Sequence, residues 1–254
     1  MKKILVVLSF ISFSFCVNAQ EIEPIQTDRP DQTETSHLVP AGVLQFESGW
    51  NYERPGDGSS LFVHPTLLWR LGLNGRTELR AITDLTTLKS GNSSSTGLDP
   101  VAIGFKVNLL DGGGWMPKTS FIAHLNLPWT ASVGRVVDYH YPDFRFTFLN
   151  EITDRLSLGY NVGAQWNGED GEPEFLYTFA PAFSISDVLG CYVEAFGFFP
   201  ENGSANHRVD GGVTWLINND LQLDVSAGKT IEPAESEAYY VSLGASWRFS
   251  IKKK

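Results

Sequence analysis

Cysteine is almost missing from this 254-residue chain, which holds only Cys16 and Cys191. Cys16 lies inside an N-terminal apolar run, so the remainder carries one thiol and no internal disulfide can staple it. Basic residues are also sparse: 19 lysines and arginines stand against 29 aspartates and glutamates, for a formal net charge of −10. The largest basic cluster is the terminal Lys252-Lys253-Lys254, which excludes a nucleic-acid partner. Beyond the N-terminal run no segment is long and apolar enough for a transmembrane helix. That absence does not exclude a membrane barrel, whose spans are short and only half apolar.

The chain opens with MKKILVVLSFISFSFCVNAQ, two lysines followed by an apolar run from Ile4 to Val17 and a small-residue pattern at Val17-Asn18-Ala19. This predicts a secretory signal peptide over residues 1–19. The run is short for a membrane anchor, and Phe15 is too bulky to precede a lipid-attachment cysteine. Residues 20–40 are polar, interrupted by Pro24 and Pro30, and lack periodicity, so they read as an extended arm. Residues 252–254 form a short basic tail.

Between Ala41 and Ile251 the chain alternates apolar and polar residues with a period of two, in about twelve segments separated by turn clusters. Expected apolar faces include Leu44, Phe46, Trp50 and Tyr52 in the first segment and Leu61, Val63, Leu67 and Trp69 in the second. The last, YYVSLGASWRFS, sets Val241, Leu243, Ala245, Trp247 and Phe249 against small or polar residues. Connections alternate between short ones such as LNGR, EITDR and NND and longer ones such as KSGNSSSTGLD and PWTASVGRVVDYHYP. Asn74-Gly75 in the first is a tight-hairpin signal. The fold class is all-β: a single antiparallel transmembrane β-barrel with short periplasmic turns and longer extracellular loops.

Three features decide that the apolar face meets lipid. Tryptophans 50, 129 and 166 fall near long loops while 69, 215 and 247 fall near short turns or the C-terminus, which makes two interfacial girdles. The polar faces are rich in glycine, as at Gly49, Gly104, Gly159, Gly212 and Gly244, which suits the crowded inside of a narrow barrel. Lysine, common on soluble β surfaces, falls within the expected strands only at Lys106 and Lys229. The expected location is the cell outer membrane, with its lipid and lipopolysaccharide as partners. The outward aromatics of Trp247-Arg248-Phe249 are a signal for the barrel-assembly machinery.

The same alternation predicts an inward, pore-lining set: Glu47, His64, Arg70, Glu78, Arg80, Asp84, Lys106, His124, Arg145, Glu194, Arg208, Asp210, Asp224 and Arg248. Acids and bases balance, which points first to a paired network and second to a narrow polar path. No catalytic residue is expected, because no outward serine is paired with a histidine. No metal or cofactor is expected either, since Asp138 and His140 fall short of a ligand set.

The stretches TDRPDQTETSHLVPAGVLQFESGWNYE, LDPVAIGFK, LQLDVSAG and VSLGASWRF together resemble the family of outer-membrane transporters associated with the meta-pathway of phenol degradation. The resemblance implies a passive channel for small solutes, with an aromatic or hydrophobic substrate suggested by the family alone. The alternative is a closed structural or surface-interaction barrel without transport. Asp28, Arg29, Asp31 and Glu34 are expected to plug or gate the periplasmic mouth by pairing with Arg70, Arg80, Lys106 or Arg248. Extended chain covers ~3.3 Å per residue, so the arm has the reach. The other reading of residues 20–40 is a loose periplasmic tail.

Overall fold

The computed structural model describes residues 23–232 and 238–251; the expected signal peptide and the basic tail lie outside the described residues. Thirteen strands follow in order: β1 (Val43–Arg54), β2 (Ser60–Asn74), β3 (Thr77–Ser90), β4 (Ser93–Leu98), β5 (Val101–Leu110), β6 (Lys118–Leu127) and β7 (Tyr141–Thr153). They continue with β8 (Leu156–Gln165), β9 (Glu174–Ser184), β10 (Leu189–Pro200), β11 (Asn206–Asn218), β12 (Leu221–Glu232) and β13 (Tyr239–Ser250). Each pairs antiparallel with its neighbours, and β1 pairs with both β2 and β13 from Val43↔Ser250 to Arg54↔Tyr239. The sheet therefore closes on itself, with β4, which pairs with β3 alone, as its one short edge among the described residues.

The barrel has twelve staves, because β4 and β5 share one. β5 pairs with Thr77–Ile82 of β3, and β4 pairs with Leu85–Ser90 above it. The break falls at Asp99-Pro100, where proline has no N–H to give the ladder. The serine-rich segment expected as a loop is thus a hairpin that prolongs β3 and its neighbour. Its residues have no apolar face, so nothing in the alternation distinguished it from a loop.

Burial is inverted relative to a soluble protein. Leu243 is 61% exposed and Ile103 48%, while Lys106, Arg70, Glu47 and Glu78 are fully buried. An apolar outer surface around a charged interior is stable only where lipid replaces water outside. Aromatic rings cluster on the outer face at both levels. Phe46 lies 4.7 Å from Trp69 and 5.2 Å from Trp247 near the short turns. Tyr52 and Phe62 lie 4.7 Å apart near the long loops.

The upper part of β2 departs from the expected alternation. A bulge between Val63 and Thr66 shifts the register of β2, so that Phe62 pairs with outward Tyr52 and Val63 with inward Asn51. The upper part of β2 therefore turns over: Val63 and Leu61 take the inward parity. The expectation that His64 lines the pore is corrected by the same bulge. Its ring stacks with Phe62 at 5.9 Å and its Nε2 lies 3.1 Å from the Thr87 hydroxyl, on the outer face.

Candidate functional site

Residues 23–40 form a loop that enters the lumen from the short-turn end and leaves by the same end. The Glu23 carbonyl accepts from Arg248, and the Ile25 N–H donates to the Asn219 carbonyl (2.9 Å) in the β11–β12 turn. The chain then rises to the level of Gly49 and Gly244, which sit opposite each other on β1 and β13. The Arg29 guanidinium lies against both; a Cβ at either glycine would collide with it. Beyond the turn at Pro30 the loop crosses β7 to β10. The Gln32 N–H and Thr33 hydroxyl donate to Glu194 (2.8 and 2.6 Å), and the Glu34 N–H donates to Asn161 (2.7 Å). It descends through Ser36, whose carbonyl accepts from the Ser120 hydroxyl, and Val39, whose N–H donates to Glu78 (2.7 Å). Gly72 of β2 lets the Val39–Pro40 backbone pass, since a side chain there would meet both carbonyls.

The strongest grip is on Asp28. Its carboxylate lies 2.7 Å from Arg80 Nη1, 2.9 Å from Lys106 Nζ and 3.2 Å from Arg70 Nη1. Arg70 also holds Glu47 and Glu78 at 2.8 Å each, and Arg80 holds Glu34 at 2.7 Å. Within this cluster the wall alone presents three cations to two carboxylates, so it is one anion short; Asp28 makes up that balance and Glu34 adds a second loop carboxylate on Arg80. Burial raises the Asp28 carboxyl, yet Arg70, Lys106 and Arg80 together hold it well below the usual carboxylate range. The Asp28 and Arg29 N–H groups both donate to Glu47 (2.8 and 3.1 Å), which fixes the backbone as well as the side chain.

The remaining expected residues fall around this cluster. Arg29 pairs with Asp224 at 2.9 Å, and Arg145 Nη1 donates to the Gln32 carbonyl at 3.1 Å. Arg80 Nε donates to His124 Nε2 (3.0 Å), which leaves His124 Nδ1–H to donate to Asp143 (2.8 Å). Arg208 pairs with Glu53 (2.8 Å) toward the long loops, Tyr240 donates to Asp210, and Arg248 pairs with Asp220 (2.9 Å) at the short-turn mouth. Asp84 is oriented inward on β3, paired in register with Thr66.

Asp31 departs from expectation. It enters none of the ion pairs among the described residues and faces Glu194 and Asp210 rather than a cation. The turn at Pro30 aims it at the opposite wall from Arg70, Arg80 and Lys106. Sequence reading also missed Glu53, Asp143, Asn161, Tyr192 and Tyr240, although strand parity places each inward. Arg135 carried no pattern at all: from the third long loop it reaches Asp99 (2.8 Å) and the Thr86 and Ser95 carbonyls (3.2 and 3.1 Å). Among the described residues no group of three or more histidines, cysteines and carboxylates is placed to hold a metal ion.

The fold resembles the COG4313 outer membrane channel from Pseudomonas putida F1, with a TM-score of 0.67 and 10% identity over 88% of this chain and 100% of that one. It also resembles the translocator domain of the autotransporter NalP from Neisseria meningitidis (TM-score 0.53, 14% identity, 83% and 90% coverage). The NanC porin gives a TM-score of 0.54 at 10% identity, with 80% and 98% coverage. At these identities the likeness is one of fold, that of an outer-membrane β-barrel. No curated protein matches the sequence. The family described as "Putative MetA-pathway of phenol degradation" matches residues 27–249, from the inserted loop through the last strand, and the chain belongs to that family.

Proposed function

We propose that the protein is a passive outer-membrane channel for small solutes, narrowed at its periplasmic end by residues 23–40. The observation that carries this reading is what fills the lumen: a separate chain segment, held by hydrogen bonds and ion pairs, rather than interlocking side chains of the wall. The densest group of those contacts is at Asp28 and its three cations. A wall built only to be closed has no need to leave Arg70, Arg80 and Lys106 short of anions. The channel and porin names of the structural relatives support the same class. The family description supports an aromatic or hydrophobic solute.

The reading is non-enzymatic. His64 does lie on the outer face beside the Thr87 hydroxyl, but among the described residues no carboxylate accepts from its ring to complete a catalytic set. The partners that go with the reading are outer-membrane lipid, lipopolysaccharide near the acidic loops at Glu169, Asp170 and Glu172, and the assembly machinery at Trp247 and Phe249.

Planar-bilayer conductance and solute flux into liposomes test the proposal on the intact protein and on a variant lacking residues 21–36. Conductance in the intact protein, raised by the deletion with assembly retained, is the expected result. Absence of conductance and flux in both would overturn the channel in favour of a closed structural or interaction barrel.

A further inference from the structure

The inserted loop does not meet the two sides of the barrel alike. Against β2, β3 and β5 its charged groups are paired, as Asp28 is by three cations. On the other side a cavity of about 330 Å³ opens between Pro24–Asp31 and the β8–β12 wall. Ser157, Ala182, Gly190 and Thr214 line it, all small, and it extends inward to Tyr192 and the half-buried Asp31. At ~30 Å³ per water molecule such a space accommodates about ten waters.

At its inner end lie Tyr192 Oη and Arg29 Nε, and beyond the cavity along the same wall lie Asp210 Oδ1 and Asp224 Oδ2, all buried polar atoms without a hydrogen bond. Tyr192 is 7% exposed, Asp224 6% and Asp210 8%. Leaving such groups dry is unfavourable, so they belong to a solvated space. The two tyrosine rings lie along the wall instead of across the lumen. A Cβ on Gly212 would come 2.6 Å from the Tyr192 ring, and one on Gly228 would come 2.6 Å from the Tyr240 ring.

Carboxyls outnumber cations on this side. Glu194 and Asp210 sit directly opposite each other on β10 and β11, an arrangement that repels in the absence of a cation or proton. Asp31 faces them from the loop and Asp224 adds a fourth carboxyl, against the guanidinium of Arg29 and that of Arg208, which Glu53 engages.

We infer that the way past the inserted loop is a hydrated seam between Arg29–Asp31 and the β9–β12 wall, and that its carboxyls select small cations over anions. The inference rests on the channel reading and specifies the route and its selectivity. A ring or wall of one sign is the usual basis of such a filter.

Reversal potentials of the full-length protein in a bilayer under a potassium chloride gradient test it. Expected at alkaline pH, where the carboxyls of this cluster ionise, is a cation preference in the intact protein, shifted toward zero by Asp31→Asn and Asp210→Asn and furthest by the double variant. Thr214→Trp, or Ala182→Trp should the first not assemble, should abolish the current, with assembly checked by heat-modifiable gel mobility. An anion preference, selectivity unmoved by the double variant, or current surviving both tryptophans would overturn the seam. So would an intact protein that is silent while the variant lacking residues 21–36 conducts, an outcome that leaves the channel reading standing. Silence in both overturns the seam and the channel together.

Discussion

Asp28 of the inserted loop and Lys106 of β5 lie 2.9 Å apart although both are buried and 78 positions apart in sequence. With Arg70 and Arg80 on the same carboxylate, Asp28 is the point where the loop is most strongly fixed. Removing one partner of a buried pair costs about 3–5 kcal/mol, because the other charge stays buried and uncompensated. Here the wall can be rehydrated by releasing the loop. Asp28→Ala is therefore expected to free residues 23–40, increase conductance and expose the loop to protease, with the barrel still assembled. A protease-resistant loop with unchanged conductance would remove Asp28 from this role.

Gly49 and Gly244 make room for the Arg29 guanidinium, which then reaches Asp224 at 2.9 Å and the Ser242 hydroxyl at 3.0 Å. Both glycines lie on strands where a larger residue is otherwise favoured. Gly244→Val should displace Arg29 and loosen the tip of the loop while leaving the grip on Asp28. The expected readout is partial: faster proteolysis near Pro30 and a smaller rise in conductance than Asp28→Ala gives.

Much of this was legible in the sequence, for a physical reason. A barrel stave must show lipid one face and the lumen the other, so alternation survives in residues such as Leu243 and Val241 whatever their neighbours. The inward charges followed from the same parity, and Asp28 and Glu34 could be matched to Arg70, Arg80 and Lys106 by charge alone. Parity failed where one extra residue entered, at the bulge that turns His64 outward. It was silent where both faces are polar, in β4. Asp31 was out of reach because only the three-dimensional turn at Pro30 decides which wall it faces.

Leu243, mid-strand in β13 and 61% exposed, tests the lipid-facing assignment directly. An arginine at the bilayer midplane costs a membrane barrel about 2–4 kcal/mol. Leu243→Arg is expected to lower unfolding stability in lipid vesicles by that amount, whereas Ser242→Ala, one residue away and inward, should have little effect on assembly. Equal tolerance at both positions would contradict the orientation of the sheet.

His37 gives the docked loop a pH dependence. Its half-buried ring sits at the short-turn mouth with Nδ1 3.2 Å from Lys118 Nζ, and its own carbonyl accepts from Arg70 at 2.9 Å. Burial, then Lys118, Lys106 and Arg70, push its pKa down from 6.5 to about 4, with Asp28 opposing. The docked state thus favours the neutral ring. Its contribution is full above the unfolded value near 6.5, declines as pH falls, and is lost once pH passes below about 4. Asp31 acts in the other direction: burial with Glu194 and Asp210 nearby raises its carboxyl, so its contribution is present at low pH and lost as pH rises. The share due to His37 is therefore the difference between the intact protein and His37→Gln. Protease sensitivity of residues 23–40, followed from pH 7 to 4, should increase more steeply in the intact protein than in the variant. Parallel profiles would mean that the ring does not sense protonation in the docked loop.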